Sequence, residues 1–129
     1  MSAEPGLAPA GRERAVALAR LIGASGVSAI FTSQFRRTKE TVEPLAELIG
    51  IAPQLTPQPA AWAERARSGQ FGTVLLVAGH SDTVPAMLAA LGVAPPPAIG
   101  EAEFDNLFVT DTGRGGSPAL LRLRYGAPR

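Results

Sequence analysis

"LLVAGHSDTVPAML", Leu75 to Leu88, runs apolar from Leu75 to Ala78, breaks at Gly79, delivers the chain's only histidine at His80, and resumes with helical spacing. With Thr73 and Val74 in front, "TVLLVA" is almost continuously apolar, the pattern of a strand covered on both faces. Ser81 stands where a helix over Ser81 to Leu91 needs its N-cap. A buried strand that ends in a polar turn and opens a helix is the repeating unit of a parallel α/β sheet. Ligands of such sheets sit outside the carboxyl ends of the strands.

The flanking sequence extends the same alternation. "PAGRERAVALARLIG", Pro9 to Gly23, puts Ala15, Leu18, Ala19 and Ile22 on one helical face and predicts a helix stopped by Gly23. "VSAIFT", Val27 to Thr32, predicts a buried strand. "SQFRRTKETVEPLAELIG" returns to helical spacing, with a kink or restart expected at Pro44. A short strand over Ala52 to Thr56 and a helix over Ala60 to Arg67 follow. Beyond the proline-rich "GVAPPPAIG", Leu107 to Thr110 and Ala119 to Arg124 flank "DTGRGGSP" as a hairpin or loose turn. The expected fold is α/β, a three-layer α/β/α domain with a mainly parallel mixed sheet and a terminal antiparallel hairpin.

At 129 residues the chain is one domain's worth of sequence, residues 1–129. Its hydrophobic share of 46% and charged share of 18% mark a folded domain rather than a disordered one. A formal net charge of +1 gives no bulk attraction for nucleic acid or an anionic membrane, so an anion site must be local. Without cysteine, and with one histidine, disulfides, thiolate metal sites and multi-histidine zinc sites are excluded within one chain. The start, "MSAEPGLAPAG", has neither a basic flank nor an apolar core of signal-peptide length, so the chain as written reads as cytoplasmic.

Two strand ends are unusually polar. "TSQFRRTKET" carries Thr32 and Ser33 out of one strand and Arg36, Arg37 and Lys39 into the first turns of a helix; "GHSDT" carries His80 and Ser81 out of another. Helix N-termini favour anions, and a guanidinium matches phosphate oxygens, so phosphate is the expected ligand class. "GHSDT" also resembles the hydrolase elbow G-x-S-x-G. The only histidine lies inside that elbow, which leaves Ser81 without a base. Trp62 is expected to cap the core.

"GLAPAGRERAVALARLI", "AIFTSQFRRTKETVEPLAELIGI" and "TVLLVAGHSDTVPAML", in this order, resemble the histidine phosphatase superfamily with its phosphoglycerate-mutase-like fold, and most closely its small single-domain phosphatases. The closing "EFDNLFVTD" and "LLRLRYG" extend the likeness. The resemblance implies a phosphate pocket of two histidines and two arginines, one histidine being transiently phosphorylated, with no cofactor and no metal. The serine and second arginine of the family's S-x-L-x-R-A block fall on Ser33 and Arg37, with Phe35 for the leucine and Thr38 for the alanine. Arg37 is then the phosphate ligand, and Arg36 points away. The later family histidine falls on His80, the catalytic candidate, which assists the transferring phosphoryl group while the backbone N–H of Ser81 holds another oxygen.

The departure lies upstream. The family opens with a strand ending in Arg-His-Gly or Arg-His-Ala, whose histidine is the nucleophile, and here only "MSAEPG" precedes "LAPAG". By resemblance the first family strand is absent, the domain is N-terminally incomplete, and the gap falls between the strand of Thr73 to Ala78 and the terminal pair. The hairpin closes it, another chain fills it, or the protein starts earlier; the last is expected, since the other blocks keep their chemistry. An earlier start leaves room for an export signal. For the general acid, Glu64, Asp82, Glu101, Glu103 and Asp105 are all open. Three functions follow: a phosphatase for phosphomonoesters or phosphoproteins that is inactive or very weak as written, a pseudoenzyme that binds phosphorylated ligands without turnover, and a structural domain that forms a homo-oligomer through its incomplete sheet.

Overall fold

Ala29 to Thr32 form the strand around which the rest is arranged. Their alternation sends Ala29 and Phe31 to one side and Ile30 to the other, and none of the four is more than 3% exposed. In this computed structural model, which describes residues 9–80, 83–100, 106–110 and 120–125, the order is α1 (Pro9–Ile22), β1 (Ala29–Thr32), α2 (Arg36–Ile49), β2 (Gln54–Leu55), α3 (Pro59–Ser68), β3 (Leu75–Ala78), α4 (Thr83–Ala90), β4 (Asn106–Thr110) and β5 (Leu120–Arg124). The architecture is α/β, as the alternation predicts.

Three strands form a parallel sheet in the order β2-β1-β3. β1 and β3 run in step, Ala29 beside Leu75 through Thr32 beside Ala78, while Phe31 and Thr32 pair with Gln54 and Leu55 of β2. Helices cover both faces. On one, Ala29 and Phe31 meet Trp62, Ala63 and Ala66 of α3, Met87 of α4 and Leu91 just beyond it, with Leu75 and Val77 of β3 packed alongside. On the other, Ile30 meets Ala19 of α1 and Val42 and Leu45 of α2, with Leu76 and Ala78 alongside. The three layers therefore follow from strict side-to-side alternation in two apolar strands.

Several elements depart from the sequence-based expectation. β4 and β5 pair antiparallel, Asn106 with Arg124 through Thr110 with Leu120, but as a sheet of their own rather than as part of one mixed sheet. Among the described residues β3 has a neighbour on one edge only, and its four residues are each only partly buried. Continuous apolar sequence predicts a strand covered on both faces; helices do lie against both, but no described strand shields its outer edge. Pro44 neither ends nor restarts a helix, for α2 runs through it. The lost backbone bond and ring clash cost about 3 kcal/mol, which packing of the fully buried Val42 and Leu45 against the core offsets. α2 stops at Gly50, whose φ of 72° is left-handed and whose N–H closes on the Ala46 carbonyl at 2.9 Å. Trp62 is buried in the core as expected, with its indole N–H unpartnered among the described residues.

Candidate functional site

Because β1 and β3 are parallel neighbours in step, the residues that leave their carboxyl ends emerge side by side. Ser33 follows β1 directly and His80 follows β3 after Gly79. Their side chains meet: His80 Nε2 lies 3.0 Å from Ser33 Oγ, across 47 residues of sequence. This contact joins the two polar strand ends that the sequence singled out.

Ser33 is held from a second direction. Its hydroxyl lies 2.7 Å from Thr38 Oγ1 and accepts the backbone N–H of Phe35 at 3.3 Å. Thr38, in the first turn of α2, is buried at 6% exposure and also reaches the carbonyls of Phe35 at 2.9 Å and Ser33 at 3.3 Å. The Phe35 ring stands edge-on to the imidazole, with centroids 5.4 Å apart at 81°. Sequence reasoning named Ser33 and His80 but not their direct contact, nor any role for Thr38 or Phe35; the hydroxyl at position 38, four residues short of a buried valine, was the available signal.

The loop after β3 is closed by its own backbone. His80 donates its N–H to Thr83 Oγ1 at 2.8 Å, and its carbonyl accepts the N–H of Val84 at 3.0 Å. Gly79 permits this closure, since a Cβ there would come within 2.9 Å of both Thr83 Oγ1 and Val84 Cγ2. α4 is described from Thr83 onward. Ser81, expected as an N-cap and a backbone phosphate donor, lies outside the described residues, as do Asp82, Glu101, Glu103 and Asp105.

The adjacent arginines differ. Arg36 donates from Nε to Glu40 at 2.8 Å along the exposed side of α2, an i,i+4 pair. Arg37 is exposed on the first turn, and its guanidinium makes no hydrogen bond or ion pair among the described residues. Glu64 is exposed on α3. Among the described residues no cluster of His, Asp or Glu could hold a metal ion, and no helix is long and apolar enough to cross a membrane. An open groove of about 670 Å³ lies between α2 and β2, with Thr32, Gln34, Lys39, Glu43 and Leu55 in its walls. Neither His80 nor Arg37 lines it, so these candidate residues lie outside the groove.

Chemically, the strand ends offer a neutral hydroxyl cluster, one imidazole and one uncommitted guanidinium next to a helix N-terminus. Groups of these kinds are the ones that hydrogen-bond and charge-pair with oxyanions.

Residues 2–60 match the model of the histidine phosphatase superfamily (branch 1), a stretch that includes Ser33 and Arg37 but not His80. A curated relative, the PE-PGRS family protein PE_PGRS11 of Mycobacterium tuberculosis, is 48% identical over 54 residues, 41% of this chain. The matched part spans 9% of that relative's length. Among solved structures, native mycobacterial glucosyl-3-phosphoglycerate phosphatase aligns with a TM-score of 0.66 at 17% identity, over 89% of this chain and 84% of that one. Its complex with inorganic phosphate aligns with a TM-score of 0.61 at 16% identity, over 93% and 88%. A further structure, mycobacterial hydrolase 2, aligns at 0.64 and 16% identity, over 100% and 84%. Residues 2–60 are thus similar in sequence to the histidine phosphatase superfamily, and the chain shares the fold of these phosphatase structures.

Proposed function

We propose that the carboxyl ends of β1 and β3 seat the phosphoryl group of a phosphomonoester, with Arg37 as its principal ligand, the Ser81 backbone N–H as a further contact, His80 as the assisting imidazole, and Ser33 at the seat as the hydroxyl bonded to His80. The observation that carries this reading is the 3.0 Å approach of His80 to Ser33 beside the N-terminus of the helix that bears an uncommitted Arg37. Phosphoryl transfer is driven mainly by positioned donors and positive charge around the equatorial oxygens. The ligand is a phosphorylated small molecule or a phosphoprotein; a sugar phosphate of the kind named for the structural relatives is a reasonable first substrate to test.

In the same reading, the 129 residues alone bind phosphate better than they hydrolyse its esters, because their one histidine cannot both attack in line and flank the phosphoryl group. Calorimetric titration with inorganic phosphate tests the seat. Arg37→Ala is expected to weaken binding tenfold or more, since a hydrogen bond to a charged group contributes about 1.5–3 kcal/mol. Turnover of a generic aryl phosphate should be near background in both proteins. Absence of millimolar phosphate binding in the wild type would overturn the seat, and rapid turnover by the wild type would overturn the division between binding and hydrolysis.

A further inference from the structure

We infer that His80 is held as the tautomer protonated at Nε2, and that Thr38, acting through Ser33, is the positioning residue that holds it so. A count of protons leads there. Thr38 Oγ1 has three oxygen neighbours, the Ser33 hydroxyl at 2.7 Å and the carbonyls of Phe35 at 2.9 Å and Ser33 at 3.3 Å. Carbonyls only accept, and two oxygens 2.9 Å apart with no proton between them repel. The single Thr38 proton therefore goes to the Phe35 carbonyl. The 2.7 Å contact must then be bridged by the proton of Ser33. With that proton directed at Thr38, Ser33 Oγ meets the imidazole at 3.0 Å only as an acceptor, and Nε2 is the donor. The Phe35 N–H at 3.3 Å takes the second lone pair, so the serine's one donor and two acceptor positions are all used.

Two consequences follow. By distance alone, Ser33 and His80 look like a nucleophile and its base, but the serine proton points away from the ring and no base acts on it. The Nε2 proton is committed to Ser33, which leaves Nδ1 as the ring nitrogen without a partner among the described residues. Burial of Thr38 keeps water from competing within the chain of hydroxyls, and the edge-on Phe35 ring limits rotation of the imidazole. The bearing of this on phosphate rests on the reading of the site as a phosphate seat; the tautomer itself does not.

Since the chain has one histidine, a nitrogen–proton correlation spectrum of the ¹⁵N-labelled protein contains one imidazole spin system. At a pH where the ring is neutral, the wild type should carry its proton on Nε2 in the large majority of molecules. Thr38→Val removes the acceptor for the Ser33 proton, which then turns toward Nε2, and the population should move to the Nδ1–H form. Thr38→Ser should restore the wild-type spectrum. A wild-type ring protonated mainly at Nδ1, or a Thr38→Val protein with the wild-type tautomer, overturns the inference. Should Thr38→Val not fold, Thr38→Ala removes the same hydroxyl and carries the same expectation, while the wild-type spectrum tests the tautomer alone. Failure of the phosphate reading shows separately, as absent anion binding in the wild type whatever its tautomer.

Discussion

β1 and β3 are four-residue strands that pair with each other in step, and helices flank both. Yet every residue of β1 is buried, from Ile30 at 0% to Ala29 at 3%, whereas every residue of β3 is only partly so. Their edges differ. β1 has β2 on one side and β3 on the other; β3, among the described residues, has β1 alone. Apolar content therefore marks a strand as lying between helical layers, while complete sealing depends on neighbours along the edge, which no local stretch of sequence encodes.

Truncation on the two sides should separate them most sharply. Leu45, fully buried against β1, should lose about 2–5 kcal/mol on Leu45→Ala, read as a lower urea midpoint with an unchanged slope. Leu76 in β3, partly buried, should lose about 1–2 kcal/mol on Leu76→Ala, because less apolar area is removed from contact and water relaxes into the space. Equal losses at the two positions would break the comparison and require that another strand cover the outer edge of β3. At the far end of the scale, Leu121 in β5 is 53% exposed, and Leu121→Thr should change stability by no more than about 0.5 kcal/mol. A larger loss there, concentration-dependent in the same melt, would show the hairpin packed against a second copy.

The sequence was most informative where one periodicity dominates. Ala15, Leu18, Ala19 and Ile22 made α1 legible, and the apolar runs ending at Thr32 and Ala78 made β1 and β3 legible with their carboxyl ends in place, though each strand begins two residues later than expected. The helical spacing around Pro44 was legible, but α2 does not restart there, because Val42 and Leu45 on either side are held by tertiary packing that outweighs the local propensity against a helix. The separation of the hairpin from the parallel sheet was not legible, since which strands pair across a gap is decided by hydrogen-bonded edges rather than by composition. At the site, residue types pointed to both strand ends, but the meeting of Ser33 with His80 depends on register, and the Thr38 hydroxyl gains its meaning only when its buried neighbours are known.

Thr32 stands beside Ala78 in the ladder, so Ser33 is level with Gly79 and His80 is one residue further out. The pair is consequently a property of backbone register, not of any long connection. Divergence in the turn after β2, where Thr56 donates its N–H to the Thr32 carbonyl, can reshape what borders the end of β1 while the hydroxyl and imidazole keep their spacing. Such a scaffold lets selection alter the choice of ligand without rebuilding the chemistry that holds it.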